Sequence, residues 1–113
     1  PTSDRAAIDS LASLSGRHVC ILGDMLEMGG NAPELHRSVG EYAAAHGVDL
    51  VITQGELAKY IAEGAGTAGA HYADRASLLA ALPELLHEGD AVLVKASHGA
   101  HFEEISEAVK QLS

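Results

Sequence analysis

Residues 17–30, RHVCILGDMLEMGG, join a short apolar run to a loop that contains three glycines. The apolar part, residues 17–22, has the length and composition of a buried strand. Three further short runs, at 49–53, 70–73 and 91–95, are also predicted to be strands, and the run at 49–53 is too uniformly apolar to have one face in water. The sequence therefore predicts four strands.

Segments with helical periodicity separate these strands. Ser3 or Asp4 is predicted to cap a first helix, Asn31 a second one and Asp74 a later one. Pro83 lies inside the last of these patterns, so we expect a kink or two short helices there. Because short apolar strands alternate with amphipathic helices, the predicted fold class is α/β, a Rossmann-like three-layer sandwich with a mainly parallel sheet of about four strands.

The length and composition of the chain limit the class of protein. A chain of 113 residues has room for one domain, expected to span 1–113. The net charge of −9, with seven Lys and Arg residues in total, argues against binding to nucleic acid or to an anionic membrane surface. The single cysteine, Cys20, excludes an internal disulfide and fits a reducing compartment. The sequence has no apolar run of membrane-spanning length and no signal-peptide pattern, so we expect a cytoplasmic protein. The lack of an initiator Met fits a piece of a longer chain.

The loops after strands one and four are the most unusual in the sequence. Residues 23–30 carry two carboxylates and three glycines, and residues 95–101 carry a lysine, a serine and two histidines. Right-handed crossovers favour a strand order in which strands one and four are neighbours. Ligands of open α/β sheets bind outside the carboxyl ends of the strands, where the strand order reverses. The sequence therefore predicts a crevice between these two loops, with Asp24 and Lys95 at its rim.

Each polar residue of the predicted crevice has a functional and a structural interpretation. Asp24 can accept hydrogen bonds from a sugar hydroxyl or an amine, or it can cap its own loop. Lys95 can hold a carboxylate or a phosphate, or it can pair with Asp24 across the crevice. Ser97 can contact a ligand or cap the last helix, and Glu27 is expected to be solvated or bonded to loop amides. Since Asp24 and Lys95 lie at the rim, we expect neither to be needed for folding.

No complete catalytic or metal-binding pattern is present in the sequence. His98 and His101 have HxxH spacing, but without further ligands at suitable spacing they do not predict a metal site. Cys20 is expected to be a packing residue, because nothing beside it in the sequence would activate a thiolate. The sequence contains no GxxxxGKS or GxxxxGKT phosphate-binding loop, no GxGxxG after a strand and no nucleophile-elbow signature. We therefore assign no catalytic residue.

Two stretches resemble the C-terminal domain of the Mur ligases, in the branch that adds D-Ala-D-Ala to UDP-N-acetylmuramoyl tripeptide. The first is ILGDMLEMG at 21–29 with ELH at 34–36, and the second is VLVKASHG at 92–99 with FEEI at 102–105. Shorter similarities are GEYA at 40–43, GELA at 55–58 and Pro1, which is similar to the end of the YNANP motif at that family's domain boundary. The resemblance covers essentially the whole chain. Ala96 and His98 depart from it, since the family pattern has Gly and Arg there.

The resemblance implies one domain of a three-domain enzyme of peptidoglycan synthesis. In such an enzyme the central domain would hold ATP and Mg²⁺, and the N-terminal domain would bind the UDP-sugar. The C-terminal domain would close over the nucleotide and help to receive D-Ala-D-Ala. We expect no cofactor to be bound to this chain alone.

The resemblance also implies roles for residues of the two loops. Asp24 would contact the ATP ribose, and Lys95 and Ser97 would contact the dipeptide side. The weaker candidates for substrate or ATP contacts are Met25, Glu27 and His98.

Two other classes of protein fit parts of the pattern. A phospho-receiver domain has acidic residues after strand one and a lysine after its last strand. It also needs a phosphoacceptor Asp at the end of a central strand, where this chain has Thr53 and Gln54. A stand-alone α/β binding or interaction module is the remaining alternative. Such a module would bind its ligand with high affinity by itself. One domain of a ligase would bind ATP or D-Ala-D-Ala with very low affinity.

Overall fold

Four strands and five α-helices alternate along residues 2–24, 31–95 and 103–112, the parts of the chain that the computed structural model describes. The strands are β1 (His18–Gly23), β2 (Leu50–Gln54), β3 (Gly69–Tyr72) and β4 (Ala91–Lys95). The helices are α1 (Thr2–Ala12), α2 (Ala32–Ala45), α3 (Ala58–Ala65), α4 (Arg75–Leu85) and α5 (Glu103–Leu112), and a 3-10 turn, Gly66–Ala68, follows α3. Each predicted strand lies within one residue of its observed position.

The four strands form one parallel sheet in the order β3-β2-β1-β4. Val19 in β1 pairs with Leu50 on one side and with Val92 on the other. The strand order reverses at β1, because the chain first adds β2 and β3 on one side and then returns to add β4 on the other. The predicted adjacency of the first and fourth strands is therefore confirmed.

Two apolar clusters lie on opposite faces of this sheet. Cys20 and Leu22 point into a cluster formed with α1, α2 and α3. Val19 and Ile21 point to the other face, where they pack with α4 and α5. This alternation follows from the two-residue period of a strand, and both faces of β1 are fully buried. The predicted α/β three-layer sandwich is confirmed.

Helices α2 and α3 approach each other closely because each carries a glycine at the contact. A Cβ on Gly40 would lie 2.8 Å from the Ala65 amide nitrogen and closer still to the Ile61 carbonyl oxygen. A Cβ on Gly64 would lie 2.9 Å from the Arg37 carbonyl carbon. The two helices thus pack backbone against backbone, which larger residues at these positions would prevent.

The observed start of α1 differs from the prediction. Ser3 and Asp4 lie inside a helix that already includes Thr2, so neither is its N-cap. Ser3 and Asp4 are of the capping type, but residues of that type also occur in the first turn of a helix, so the sequence did not fix where the helix begins. Asn31 does precede α2, but its side chain makes no capping hydrogen bond.

The prediction at α4 was partly right. Asp74 caps this helix, and its Oδ1 accepts a hydrogen bond from the Ser77 amide at 2.7 Å. The expectation of two short helices at Pro83 was wrong, because Pro83 lies inside one continuous helix. Pro83 is in the last turn, so its missing N–H removes only one of the final intrahelical hydrogen bonds.

Candidate functional site

Strands β1 and β4 end side by side at one edge of the sheet. Leu22 pairs with Lys95, the last residue of β4, and β1 ends one residue later at Gly23. Asp24 follows directly. Because the strands are parallel, both chains leave the sheet in the same direction. The structure therefore brings Asp24 and Lys95 to the same end of the sheet, at the point where the strand order reverses.

The carboxylate of Asp24 is bonded to the beginning of α3. Its Oδ1 accepts hydrogen bonds from the backbone N–H groups of Leu57, at 3.0 Å, and Ala58, at 2.8 Å. The first N–H groups of a helix have no partner inside the helix, and the helix dipole favours a negative charge beside them. Leu57 occupies the N-cap position and has no side-chain oxygen, so Asp24 caps α3 from a distant part of the sequence.

This contact corrects the expectation that Asp24 is a rim residue without a role in folding. The structural interpretation of Asp24 was a turn within its own loop, but the bonded amides are 33 and 34 residues away. Asp24 joins the end of β1 to the start of α3. Its second carboxylate oxygen, Oδ2, accepts neither of these two bonds.

Lys95 lies on the same face of the sheet as the helices α1 to α3. It alternates with Ala91 and Leu93, which both pack against the apolar cluster beneath those helices. Lys95 itself is half-buried. The two residues predicted to form the rim thus belong to the same layer, since Asp24 bonds to α3 in that layer.

A hydrogen-bonded pair near the ends of β2 and β3, between buried Thr53 and exposed His71, was not predicted from the sequence. The Thr53 hydroxyl, which is fully buried, lies 2.7 Å from Nδ1 of His71. Partial burial lowers the pKa of His71, the charge of Lys59 lowers it further, and the charge of Asp24 opposes this shift. Thr53 and His71 pair only because β2 and β3 have this register, and the sequence does not contain that information.

Several predicted site residues lie outside the described residues. They are Met25, Glu27, Ser97 and His98, together with His101. Their proposed contacts remain predictions. Among the residues that the structure does describe, no three His, Cys, Asp or Glu side chains form a group that could hold a metal ion.

Cys20 is the packing residue that the sequence predicted. It is fully buried on the face of β1 that meets α1, α2 and α3. Burial raises the pKa of its thiol to about 12, so the thiol stays protonated at neutral pH.

A cavity of about 390 Å³ lies at the opposite end of β4. Leu86, Asp90, Val92 and Val109 are among the residues that line it. Asp90 precedes β4 and Lys95 ends it, so this cavity is separate from the predicted crevice.

Comparisons with known proteins bear on the family and the fold of this chain. The family model described as "Mur ligase, glutamate ligase domain" matches residues 1–98. UDP-N-acetylmuramoyl-tripeptide–D-alanyl-D-alanine ligase of Bacillus subtilis is 39% identical over 112 residues, and the protein of the same name from Escherichia coli is 36% identical over 108 residues. These matches cover 93% and 94% of this chain and 24% of each relative. The chain therefore spans about a quarter of the length of the curated relatives it matches.

Two solved structures have the same fold. MurF from Acinetobacter baumannii matches with a TM-score of 0.84 at 28% identity, over 97% of this chain and 26% of that protein. The MurF ligase from Thermotoga maritima, solved in complex with ADP, matches with a TM-score of 0.83 at 23% identity, over 99% of this chain and 26% of that protein. Within the described ranges, no helix has the length and apolar character needed to cross a bilayer.

Proposed function

This chain belongs to the Mur ligase C-terminal domain family, and we propose that it forms one wall of the active site of an ATP-dependent ligase. The reaction is the addition of D-Ala-D-Ala to UDP-N-acetylmuramoyl tripeptide in peptidoglycan synthesis, in the cytoplasm. Its partners are the central ATP-binding domain and the N-terminal UDP-sugar domain of the same enzyme. The proposal is supported by curated relatives of that name at 36–39% identity.

One observation supports the assignment of this function to particular residues. The two stretches that resemble the ligase family lead out of β1 and β4, and these strands are neighbours at the point where the strand order reverses. A ligand at the carboxyl edge of the sheet would therefore lie near the ends of both strands, at Asp24 and Lys95. Because the sequence has no phosphate-binding loop of its own, a second domain is needed to enclose ATP.

Asp24 is the proposed contact to the ATP ribose. Its Oδ1 is occupied by the amides at the start of α3, so a ribose hydroxyl would donate its hydrogen bond to Oδ2. The cap also holds the carboxylate in one orientation, which reduces the entropy lost when the hydroxyl binds. In this proposal Asp24 links the position of α3 to the binding of the nucleotide.

Lys95 and Ser97 are the proposed contacts on the dipeptide side, with Met25, Glu27 and His98 as weaker candidates. An ammonium group at the end of β4 suits the carboxylate of the incoming dipeptide, because a charge-assisted hydrogen bond is about twice as strong as a neutral one. Holding that carboxylate would orient the amine at the other end of the dipeptide. The contribution of these side chains is binding and orientation.

The chemistry itself is assigned to the complete enzyme. ATP transfers its terminal phosphoryl group to the carboxylate of the tripeptide, and ADP leaves. The amine of D-Ala-D-Ala then attacks the acyl phosphate, which forms the peptide bond and releases inorganic phosphate and a proton. Mg²⁺ would accompany ATP on the central domain and screen the charge of the phosphates.

A chimeric enzyme tests this function. The chain replaces the matching segment of the Bacillus subtilis relative, and ligation is measured as D-Ala-D-Ala-dependent phosphate release with Mg-ATP and UDP-muramoyl tripeptide. We expect ligation by the chimera and none by the relative without this segment, and neither ATP hydrolysis nor ligation by the 113-residue chain alone. Phosphate release by the chain alone would contradict the proposal. Tight binding of a ligand by the chain alone, with a folded but inactive chimera, would support a stand-alone binding module instead.

A further inference from the structure

His18, the first residue of β1, lies between the chain segments that follow α1 and α2. Its Nε2 is 2.6 Å from the carbonyl oxygen of Leu14, and its Nδ1 is 2.8 Å from the carbonyl oxygen of Gly47. A carbonyl oxygen can only accept a hydrogen bond, and a neutral imidazole has only one N–H group to donate. Only the imidazolium, with an N–H on each nitrogen, makes both hydrogen bonds.

The position of His18 also favours a positive charge. Leu14 lies two residues beyond the end of α1 and Gly47 two residues beyond the end of α2. The last carbonyl groups of a helix carry partial negative charge, so a cation near two such ends is stabilised by both. His18 thus connects the ends of two helices to the first residue of the central strand.

A negative charge lies beside His18, and the positive charge next to it in the sequence is paired. From the start of β2, Asp49 accepts a hydrogen bond from the His18 backbone amide at 2.8 Å, and its carboxylate favours the charged ring. Arg17 directly precedes His18. Its guanidinium group pairs at 2.7 Å with the carboxylate of Asp90, the residue before β4, so the positive charge of Arg17 is compensated. His46, at the end of α2, bonds through its own Nδ1 to the Tyr42 carbonyl and stacks on the Tyr42 ring.

We propose that His18 is an imidazolium in the folded chain at neutral pH and that it acts as a pH-dependent clamp between the ends of α1 and α2. This clamp consists of His18 and the carbonyl groups of Leu14 and Gly47. It lies at the amino end of the sheet, away from the predicted crevice, and it does not depend on the proposed ligase function.

The pH dependence has a definite sign. The hydrogen bond to Leu14 and then the one to Gly47 raise the pKa of His18 above the ordinary 6.5. Burial opposes them, and the charge of Asp49 adds a smaller upward effect on this pKa. A raised pKa in the folded state means that the folded chain holds the proton more tightly than the unfolded chain does. The stabilisation is therefore complete below pH 6.5 and is lost as the pH rises through the higher, folded-state pKa.

Nitrogen-15 NMR of the histidine rings tests the protonation state directly on the unmodified chain. At neutral pH we expect both ring nitrogens of His18 to carry protons. A neutral ring at His18, with one protonated and one bare nitrogen, would overturn the proposal. This experiment needs no variant, so it decides the question even if substitutions at position 18 prevent folding.

Thermal melts measure the effect on stability. The melting temperatures of the unmodified chain, His18→Gln and the control His46→Gln are compared from about pH 6 to about pH 9. We expect the difference between the unmodified chain and His18→Gln to shrink as the pH rises, because the clamp is lost from the unmodified chain. His46→Gln leaves His18 and its two carbonyl partners in place, so the clamp and its loss at high pH should remain in this variant. A pH-independent difference for His18→Gln would mean that the clamp does not titrate and would refute the proposal.

Discussion

The Asp24 carboxylate occupies the space in which any side chain at position 55 would lie. A Cβ added to Gly55 would be 2.7 Å from Cγ of Asp24 and closer still to its Oδ1, the oxygen that caps α3. Gly55 also has φ +131, a conformation that residues with a Cβ rarely adopt. The turn between β2 and α3 thus leaves space for the Asp24 carboxylate to bond to the start of α3.

Gly55→Ala should therefore destabilise the fold in two ways. The backbone conformation costs about 1–2 kcal/mol for a residue with a Cβ, and displacement of the Asp24 cap costs about 1 kcal/mol more. Urea unfolding of the chain measures the sum. Gly66→Ala is the matched control, because Gly66 also has positive φ, at +64, but an added Cβ there meets nothing within 4 Å. Equal losses for the two variants would contradict the proposed contact with Asp24.

Substitution of Asp24 or Lys95 by alanine should change the free energy of unfolding by different amounts and should lower ligation to a similar extent. Asp24→Ala removes a helix cap, so we expect a loss of about 1 kcal/mol in the free energy of unfolding. Lys95→Ala should cost less, because Lys95 is only half-buried at the end of a strand and can keep its charge near water. In a full-length enzyme, each should lower kcat/KM about tenfold to hundredfold through a lost charged hydrogen bond.

Steady-state kinetics of the full-length variants, with thermal melts alongside, separate these effects. Asp24→Ala should act mainly on the KM for ATP and Lys95→Ala on the KM for the dipeptide. His98→Ala should have a much smaller effect, because the resemblance to the family breaks at that position. If Asp24→Ala lowers stability but ligates like the parent, Asp24 is a helix cap and nothing more.

Gly40 should tolerate no larger residue, although it lies in the middle of a helix. Alanine is ordinarily the better helix former by about 1 kcal/mol, but here its methyl group would meet the backbone of α3. We expect Gly40→Ala to lose about 1–3 kcal/mol from forced separation of the helices. Ala44→Ser, an exposed position on the same helix, also adds one heavy atom and should have little effect. Stabilisation by Gly40→Ala in urea unfolding would show that α2 and α3 are not in backbone contact.

The ion pair of Arg17 and Asp90 should make the free energy of unfolding depend on pH in the acid range. Arg17 donates to Asp90 through Nε at 3.2 Å and Nη2 at 2.7 Å, and the His87 amide donates to the same carboxylate at 2.8 Å. The hydrogen bonds from Arg17 hold the pKa of Asp90 below its ordinary 3.8. A lowered pKa means that this stabilisation is present above pH 3.8 and is lost as the pH falls through the folded-state value.

Asp90→Asn tests this dependence. We expect it to cost about 1–2 kcal/mol near neutral pH, less than a fully buried pair would, because the Arg17 side chain is 33% exposed. The difference from the unmodified chain should shrink toward pH 3 in urea unfolding. Glu63→Gln is the control, since Glu63 pairs with Arg37 at an exposed position and should cost little at any pH. An Asp90→Asn deficit that persists unchanged at low pH would contradict the linkage.

The sequence by itself determined the fold class and the adjacency of the first and fourth strands. Short apolar runs such as 49–53 can be buried only in a sheet covered on both faces, and right-handed crossovers leave few strand orders. These are local patterns and general topological rules, so they required no knowledge of side-chain contacts. The same reasoning brought Asp24 and Lys95 to one end of the sheet.

Only the tertiary structure decided what the polar side chains bond to. Asp24 caps a helix that starts 34 residues later, Thr53 meets His71 through the register of β2 and β3, and His18 bonds two carbonyl groups from different helix ends. A hydrogen bond depends on distances of a few tenths of an ångström between groups far apart in the sequence. The spacing of residues along a chain does not contain those distances, because they arise only when the helices have packed onto the sheet.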